Sequence, residues 1–146
     1  MKRARAFTLV EILIVVVILG ILAAIIVPNF ATATQEAQST TTFSELGKLR
    51  RAMEVYGIRN PSQMPDVIEG DGRPPDNAWG ELVQPGEYLQ GPPSNPWVGG
   101  DNRYYVIIRN SPDAAYQTNY AWIYDDTSGD IWAGGFDGND QPIPRP

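Results

Sequence analysis

The segment that decides the fold of this chain runs from Phe7 to Val27 and reads FTLVEILIVVVILGILAAIIV. Its 21 residues contain a single charge, Glu11, and as an α-helix they would span about 31 Å. That length matches the hydrocarbon core of a bilayer, which is roughly 30 Å thick. The segment therefore predicts a membrane-spanning helix. A carboxylate inside such a helix is costly, which points to a function for Glu11.

Three basic residues precede the apolar segment, at Lys2, Arg3 and Arg5, with no acidic residue among the first six. Cytoplasmic flanks carry an excess of positive charge, so we expect a cytoplasmic N-terminus and an exported remainder. A secretory signal peptide also begins this way, and Ala31 and Ala33 resemble its cleavage site. The length of the apolar segment and the helix-forming residues that follow it favour a retained anchor instead. The absence of cysteine excludes a lipoprotein.

The start of the apolar segment resembles the N-terminus of type IV pilins and type II secretion pseudopilins. The resemblance rests on Ala6-Phe7-Thr8-Leu9-Val10-Glu11, on the apolar run, and on Gly20, Pro28 and Asn29. It implies a leader of residues 1–6, which a prepilin peptidase removes by cleavage between Ala6 and Phe7, and N-methylation of the new Phe7 amine. The family usually has glycine where this chain has Ala6, and alanine is small enough for processing to be expected.

Two interpretations of Glu11 are open. In the local one, Thr8 and Glu11 form a capping box, and the carboxylate also interacts favourably with the helix dipole. In the intermolecular one, Glu11 neutralises the Phe7 amine of a neighbouring subunit and sets the register in which the helices pack, as polar groups do in other helical assemblies. The family resemblance favours the intermolecular interpretation.

The spanning helix, residues 7–28, is expected to continue as an amphipathic helix over residues 29–57, ending at Gly57. Gly20 and Pro28 are predicted kink positions, because a proline removes a backbone hydrogen bond. The polar residues 39–42 are predicted to be its weakest part. Apolar residues that share one face predict the side packed on a small domain: Phe43, Leu46, Leu49, Met53 and Tyr56.

Residues 58–146 are predicted to form an exported globular domain. Its loop region, 58–102, is rich in glycine and proline, with a short helix expected within 78–83. A tail, 135–146, follows the sheet region, and its last part, 141–146, is not expected to add to the core.

Three strands are predicted in the sheet region, 103–134, because β-branched and aromatic residues concentrate there. They are placed at 103–109, 119–124 and 130–133, and the turn at 126–129 makes the last two a hairpin. The predicted fold class is α+β, with the long N-terminal helix packed on a three-stranded antiparallel sheet.

Two patterns in the loop region resemble the major pseudopilins of type II secretion: Gly86-Glu87-Tyr88-Leu89 and Pro93-Ser94-Asn95-Pro96-Trp97. The absence of cysteine also removes the disulfide loop of many adhesive type IV pilins. The resemblance implies a structural subunit of a homo-oligomeric helical filament. Its implied partners are the prepilin peptidase, an inner-membrane assembly platform, and minor pilins or pseudopilins.

The implied location is the bacterial inner membrane, which the chain spans once with its C-terminal domain in the periplasm, and then a filament. The alternative is a membrane-anchored, exported binding module that does not polymerise.

The formal net charge is −6, and −9 without the leader, from 8 basic and 17 acidic residues. An acidic exported domain is a poor electrostatic partner for nucleic acid, so no nucleic-acid binding is expected. One basic cluster, formed by Lys48, Arg50 and Arg51, is either a solvated helix face or a set of contacts to neighbouring subunits. The candidate partners on those subunits are Glu36, Glu45 and Glu54.

Acidic residues gather near the C-terminus, and oxygen-rich sites suit calcium. The segment Asp137-Gly138-Asn139-Asp140 is similar to the calcium loop of the major pseudopilins, so calcium is a candidate ligand near Asp130, Asp137 and Asp140. Turn formation by Asp and Asn explains the same residues without a metal. No cofactor is expected to be required.

Enzyme function is not expected. The chain has no histidine and no cysteine, which excludes a Ser-His-Asp triad, a thiol nucleophile and an imidazole zinc site. The spacing of Asp125, Asp126 and Asp130 is that of a turn and does not indicate a catalytic carboxylate pair. The spanning helix leads into the domain without a flexible linker, which favours a stacking subunit over a tethered catalyst.

Overall fold

In the computed structural model the described residues are 7–83 and 87–146. The predicted leader, residues 1–6 with Ala6, and Gly86 of the first loop pattern lie outside them. The chain divides into two units, Met1–Glu36 and Ala37–Pro146.

One long helix, α1, runs from Leu9 to Arg59, which confirms the long N-terminal helix. It is continuous through Gly20 and Pro28, and a kink at these positions stays a prediction. The helix ends two residues beyond the predicted stop at Gly57. At its end, the backbone N–H and the side-chain amide of Asn60 both donate to the carbonyl oxygen of Tyr56, at 2.8 and 3.2 Å. Pro61 follows, and the residue before a proline disfavours the helical conformation.

In the first unit, the described helix presents apolar side chains on all sides from Ile12 to Val27. Every described residue from Phe7 to Glu36 is exposed. A helix that is apolar all round is typical of a membrane span. Within the described residues, α1 is long and apolar enough to cross a membrane.

In the second unit, one face of α1 is buried against the domain. Leu46, Leu49 and Tyr56 are buried as predicted, and Met53 is half-buried against the same core. The prediction for Phe43 is wrong, because its side chain is 55% exposed. Thr42 is fully buried in its place, since a step of one residue turns a helix by about 100°.

The sheet has four strands rather than the three predicted, and it is mixed rather than antiparallel. Its neighbouring pairs are β1–β2 and β3–β4, both antiparallel, and β2–β3, which is parallel. The strands are β1 (Gly70–Asp71), β2 (Tyr105–Ile108), β3 (Trp122–Tyr124) and β4 (Ile131–Ala133), in the spatial order β1-β2-β3-β4.

The parallel pair aligns Val106 with Trp122. Parallel neighbours need a connection of about a dozen residues or more, and the segment 109–121 provides it. The predicted hairpin between β3 and β4 is confirmed, with Asp125 N–H donating to the carbonyl oxygen of Asp130 at 2.9 Å. The short strand β1, which lies in the predicted loop region, pairs with the start of β2.

Two short 3₁₀ helices interrupt the loops. One, Gly80–Leu82, falls inside the helix predicted at 78–83. The other, Asp101–Tyr104, occupies the start of the strand predicted at 103–109, so that strand begins only at Tyr105.

The core extends beyond the predicted end of the sheet region. Phe136, assigned to the tail by the sequence, is 1% exposed and belongs to the core with Trp79 and Trp122. The tail also pairs back on this region, because Ile143 N–H donates to the carbonyl oxygen of Gly135 at 2.9 Å. The last part, 141–146, thus hydrogen-bonds to this region, while none of its side chains is among the buried core residues, as expected.

Candidate functional site

Thr8 and Glu11 form a reciprocal capping box at the start of α1. The N–H and the hydroxyl of Thr8 both donate to Glu11 Oε2 at 2.8 Å, and Glu11 N–H donates to Thr8 Oγ1 at 3.2 Å. The box satisfies backbone donors that the first helical turn leaves free. The local interpretation of Glu11 is thus confirmed as geometry within one chain.

The capping box leaves half of the Glu11 carboxylate available. Oε2 accepts both bonds from Thr8, and Oε1 accepts none from any described residue. Phe7 directly precedes the cap and is 79% exposed. The predicted assembly residues Phe7 and Glu11 therefore lie at the same exposed end of α1, where Glu11 Oε1 can accept a donor from another chain. That intermolecular contact stays a prediction.

Two threonine hydroxyls that follow Pro28 donate to carbonyl oxygens one turn earlier in α1. Thr32 donates to the carbonyl oxygen of Pro28 at 3.2 Å, and Thr34 donates to that of Phe30 at 2.8 Å. Such back-bonding gives the hydroxyl a partner where no water is available and tends to bend helices. At Gly20, an added Cβ would meet no atom within 4 Å, so nothing within the described part of the chain requires glycine there.

The basic cluster on α1 is mostly paired within its own chain. Lys48 Nζ lies 2.5 Å from Glu45 Oε1, and Arg50 holds both carboxylate oxygens of Asp140, at 2.5 and 2.9 Å. Arg51 makes no hydrogen bond or ion pair with any described residue. Lys48 and Arg50 therefore have partners within their own chain, whereas Arg51 has none among the described residues, and its contact with another subunit stays a prediction.

The candidate calcium residues have other partners. Asp140 is held by Arg50, and Asp137 Oδ1 accepts the N–H groups of Asn139 and Gln141 at 2.8 and 2.9 Å. Asp130 accepts the Ser128 hydroxyl at 2.9 Å. Across residues 7–83 and 87–146, no three His, Cys, Asp or Glu side chains are grouped to hold a metal ion. The contacts of Asp137 are those of a turn, and calcium binding stays the untested alternative.

A buried amide, which sequence reasoning missed, joins the helix to the sheet. Asn95 is fully buried, and its Nδ2 donates to the carbonyl oxygens of Ala121 and Gly134 at 2.8 and 2.9 Å. Its Oδ1 accepts the Thr42 hydroxyl at 3.0 Å and the N–H of Val98 at 3.1 Å. The Pro93–Trp97 pattern marked this residue, but nothing in the sequence indicated its partners.

A buried carboxylate organises the connection between β2 and β3. Asp113 is 6% exposed, and four groups donate to it: Gly135 N–H, Tyr120 OH, Arg109 and Gln117. Burial raises the pKa of this carboxyl, but the four hydrogen bonds outweigh it and hold the pKa below its ordinary value. The only sequence signal was Arg109, four residues earlier.

In the tail, the positively charged Arg145 packs against the core residue Trp97. The Arg145 guanidinium lies 4.5 Å from the ring centroid of Trp97, and its Nη2 donates to the Trp97 carbonyl oxygen at 2.6 Å. The same nitrogen donates to Gln38 Oε1 at 2.7 Å, near the first residue of the second unit. The tail therefore holds the part of α1 where the packed face begins.

Comparison with known proteins places these features in a family context. A protein-family model described as the prokaryotic N-terminal methylation motif matches residues 1–27. The type II secretion system core protein G of Klebsiella pneumoniae is 34% identical over 130 residues, covering 82% of this chain and 92% of that protein. The core protein G of Escherichia coli K12 is 31% identical over 120 residues, covering 78% of each.

A shorter match reaches a second kind of filament protein. The type IV wide pilus major component PilA4 of Thermus thermophilus is 40% identical over 62 residues, covering 42% of this chain and 47% of that protein. No solved structure matches the chain at a significant level.

Proposed function

Because the chain belongs to the type II secretion system core protein G family, we propose that it is a structural subunit of a pseudopilus-like filament whose neighbouring subunits are joined through Glu11. The observation that carries the proposal is the Glu11 carboxylate in an exposed apolar helix, whose Oε1 accepts no hydrogen bond from the described residues. The core protein G relatives cover more of the chain than PilA4 does, which favours a secretion filament over a pilus.

Processing prepares the pairing. Cleavage between Ala6 and Phe7 by a prepilin peptidase creates a positively charged amine at Phe7, and the methylation-motif match supports this step. Glu11 of one subunit then neutralises the Phe7 amine of the next. In an apolar helical bundle, an unpaired charge is costly, so each helix is held at the register that pairs the two groups.

The location follows from the same segment. Helix α1 anchors the precursor in the inner membrane, with Lys2, Arg3 and Arg5 on the cytoplasmic side by the positive-inside tendency and the second unit in the periplasm. An assembly platform in that membrane and minor pseudopilins are the proposed further partners. The role is structural, and we assign neither catalysis nor nucleic-acid binding to the acidic domain.

The test replaces Glu11 with Gln in the full chain, expressed together with the prepilin peptidase, the assembly platform and the minor pseudopilins. Gln serves at this capping position, so helix formation is expected to persist while the charge is lost. We expect normal cleavage, measured as the mass of the processed chain, and loss of filaments sheared from cells and counted by electron microscopy.

A matched control separates the capping box from the charge. Thr8→Ala removes the hydroxyl of the box and keeps the carboxylate, so filaments are expected at normal levels. If Glu11→Gln assembled as well as the unchanged protein, the pairing would be wrong. If the unchanged, processed protein formed no filaments, the filament function itself would be wrong.

A further inference from the structure

In the second unit, two grooves lie along opposite sides of α1. The larger, the basic groove, has a volume of about 730 Å³ and lies between α1 and the segment 87–93. The other has a volume of about 420 Å³ and lies between α1 and the β3–β4 turn. The basic groove is lined on α1 by Glu45, Lys48, Arg51, Ala52 and Val55, and the other by Arg50, Met53, Glu54, Tyr56 and Gly57. At about 100° per residue, these two sets fall on opposite sides of α1, except for Tyr56, which lies between them.

Among the described residues that line the basic groove, one charge is unpaired, and it is positive. Its two carboxylates are neutralised within the chain, Glu45 by Lys48 and Glu87 by Arg59. Arg51 is exposed and has no partner among the described residues. Beside its guanidinium the groove is lined by apolar groups of Ala52, Val55, Tyr88, Leu89, Pro92 and Pro93.

The groove on the other side of α1 is bordered by unpaired negative charge. The β3–β4 turn, Asp125–Asp130, here called the acidic turn, exposes residues 126–128. Among the described residues no cation pairs with Asp126, Asp130 or Glu54. Arg50, which also lines this groove, is already paired with Asp140.

Arg51 and Glu54 do not neutralise each other. They lie three residues apart on α1, a spacing that allows ion pairs on a helix, yet no pair forms within the described chain. Their charges are thus available to a second copy. Growth of a helical filament needs two different, complementary surfaces on every subunit, because a head-to-tail contact repeats without closing. The basic groove and the acidic turn are such a pair of surfaces.

We propose that the acidic turn of one subunit docks in the basic groove of the next, with the Asp126 carboxylate paired to the Arg51 guanidinium. This contact rests on the proposed filament function and adds a second, water-exposed connection between subunits. The turn is polar and exposed, so it enters the groove at the rim where Arg51 lies. As a surface ion pair, the contact weakens with rising salt.

Disulfide crosslinking tests the contact directly, because the chain contains no cysteine of its own. Single-cysteine subunits, Val55→Cys in the basic groove and Thr127→Cys in the acidic turn, are expressed together with the peptidase and the assembly platform and allowed to form filaments. Oxidation of sheared filaments is expected to give a dimer that contains one copy of each variant. Thr118→Cys, an exposed position outside both grooves, serves as the control and is expected to give no dimer with Val55→Cys.

Two outcomes would overturn the contact. One is normal filaments in which Val55→Cys and Thr127→Cys do not crosslink. The other is a crosslink from Val55→Cys to a cysteine at Glu36, Glu45 or Glu54 in place of Thr127→Cys. Absence of filaments from the unchanged protein would instead count against the filament function, so the two failures are distinguishable.

Charge exchange provides the second measurement. Arg51→Glu and Asp126→Arg are each expected to lower sheared filament by about fivefold, as loss of a surface ion pair predicts. The double variant, which restores the pair in reversed order, is expected to recover most of that loss. Arg103→Glu, at an exposed arginine outside both grooves, is the matched control and should assemble normally. No recovery in the double variant would contradict the pairing.

Discussion

Thr42 and Asn95 are both fully buried, and their side chains meet in a hydrogen bond of 3.0 Å although 53 positions separate them in the chain. The Thr42 hydroxyl also accepts the N–H of Trp97 at 3.2 Å. Asn95 continues the contact to Ala121 and Gly134 at the ends of β3 and β4. The Asn95 side-chain amide therefore connects α1, the 93–97 loop and the sheet. It supplies hydrogen bonds to buried groups that water does not reach.

Asn95→Ala is expected to destabilise the second unit by about 3 kcal/mol or more, because it leaves several buried donors and acceptors without partners at about 1–3 kcal/mol each. Thermal unfolding of the full chain in detergent, followed by near-ultraviolet circular dichroism, measures the loss. Ser94→Ala, at a half-buried neighbour whose side chain makes no hydrogen bond within the described residues, is the control. Equal unfolding of the two variants would contradict the role of Asn95.

Asp113→Asn is expected to cost about 2 kcal/mol at neutral pH, because the amide cannot accept from all four donors that surround the carboxylate. The folded pKa of Asp113 is lowered, so its contribution is complete above the ordinary Asp value of about 3.9 and is lost as the pH falls through the folded pKa.

Urea unfolding at a series of pH values measures this dependence. The difference in free energy of unfolding between the unchanged protein and Asp113→Asn should shrink below about pH 4. Asp101→Asn, at an exposed carboxylate, should show no comparable change. A difference that stays constant at acid pH would contradict the assignment.

Arg145→Gln is expected to speed hydrogen exchange of α1 near Gln38, since it removes the stacking on Trp97 and both hydrogen bonds of Nη2. A cation over an indole is worth about 0.5–2 kcal/mol. Arg145→Lys keeps the charge but lacks the planar fork, so it should recover only part of the protection. Mass-spectrometric exchange of peptides that cover residues 37–49 measures the effect, and unchanged exchange in both variants would contradict it.

Chelation of divalent metal is expected to leave the melting temperature of the unchanged protein the same, because Arg50 already neutralises Asp140. Arg50→Gln frees that carboxylate, so calcium should raise the melting temperature of this variant more than that of the unchanged protein. A calcium-dependent rise of several degrees in the unchanged protein would contradict this prediction and support a native calcium site.

The sequence predicted those parts of the fold that depend on the local spacing of apolar residues and on local composition. The apolar run and the stripe at Leu46, Leu49 and Tyr56 predicted α1 and its buried face, and β-branched and aromatic residues located β2, β3 and β4. The strand β1 was missed because Gly70 and Asp71 are poor strand formers. The parallel pairing of β2 with β3 was missed because hydrophobic alternation does not encode strand direction.

The site was predictable only at its N-terminal end. Thr8 and Glu11 are three residues apart, so their contact follows from helix geometry alone. Thr42 was read as part of a weak polar stretch, since its partner Asn95 is brought close only by the fold. The same holds for Arg50 and Asp140, which are 90 positions apart.

The exposure of the first unit restricts how a subunit can travel. Large apolar side chains from Phe7 to Phe30 are 48% to 82% exposed, far more contiguous apolar surface than a dispersed soluble protein tolerates. A single chain of this kind is therefore not expected to be stable in water. Its apolar helix must exchange lipid contacts directly for contacts with the α1 helices of other subunits. We therefore infer that each subunit is added to the growing filament while its helix still lies in the bilayer.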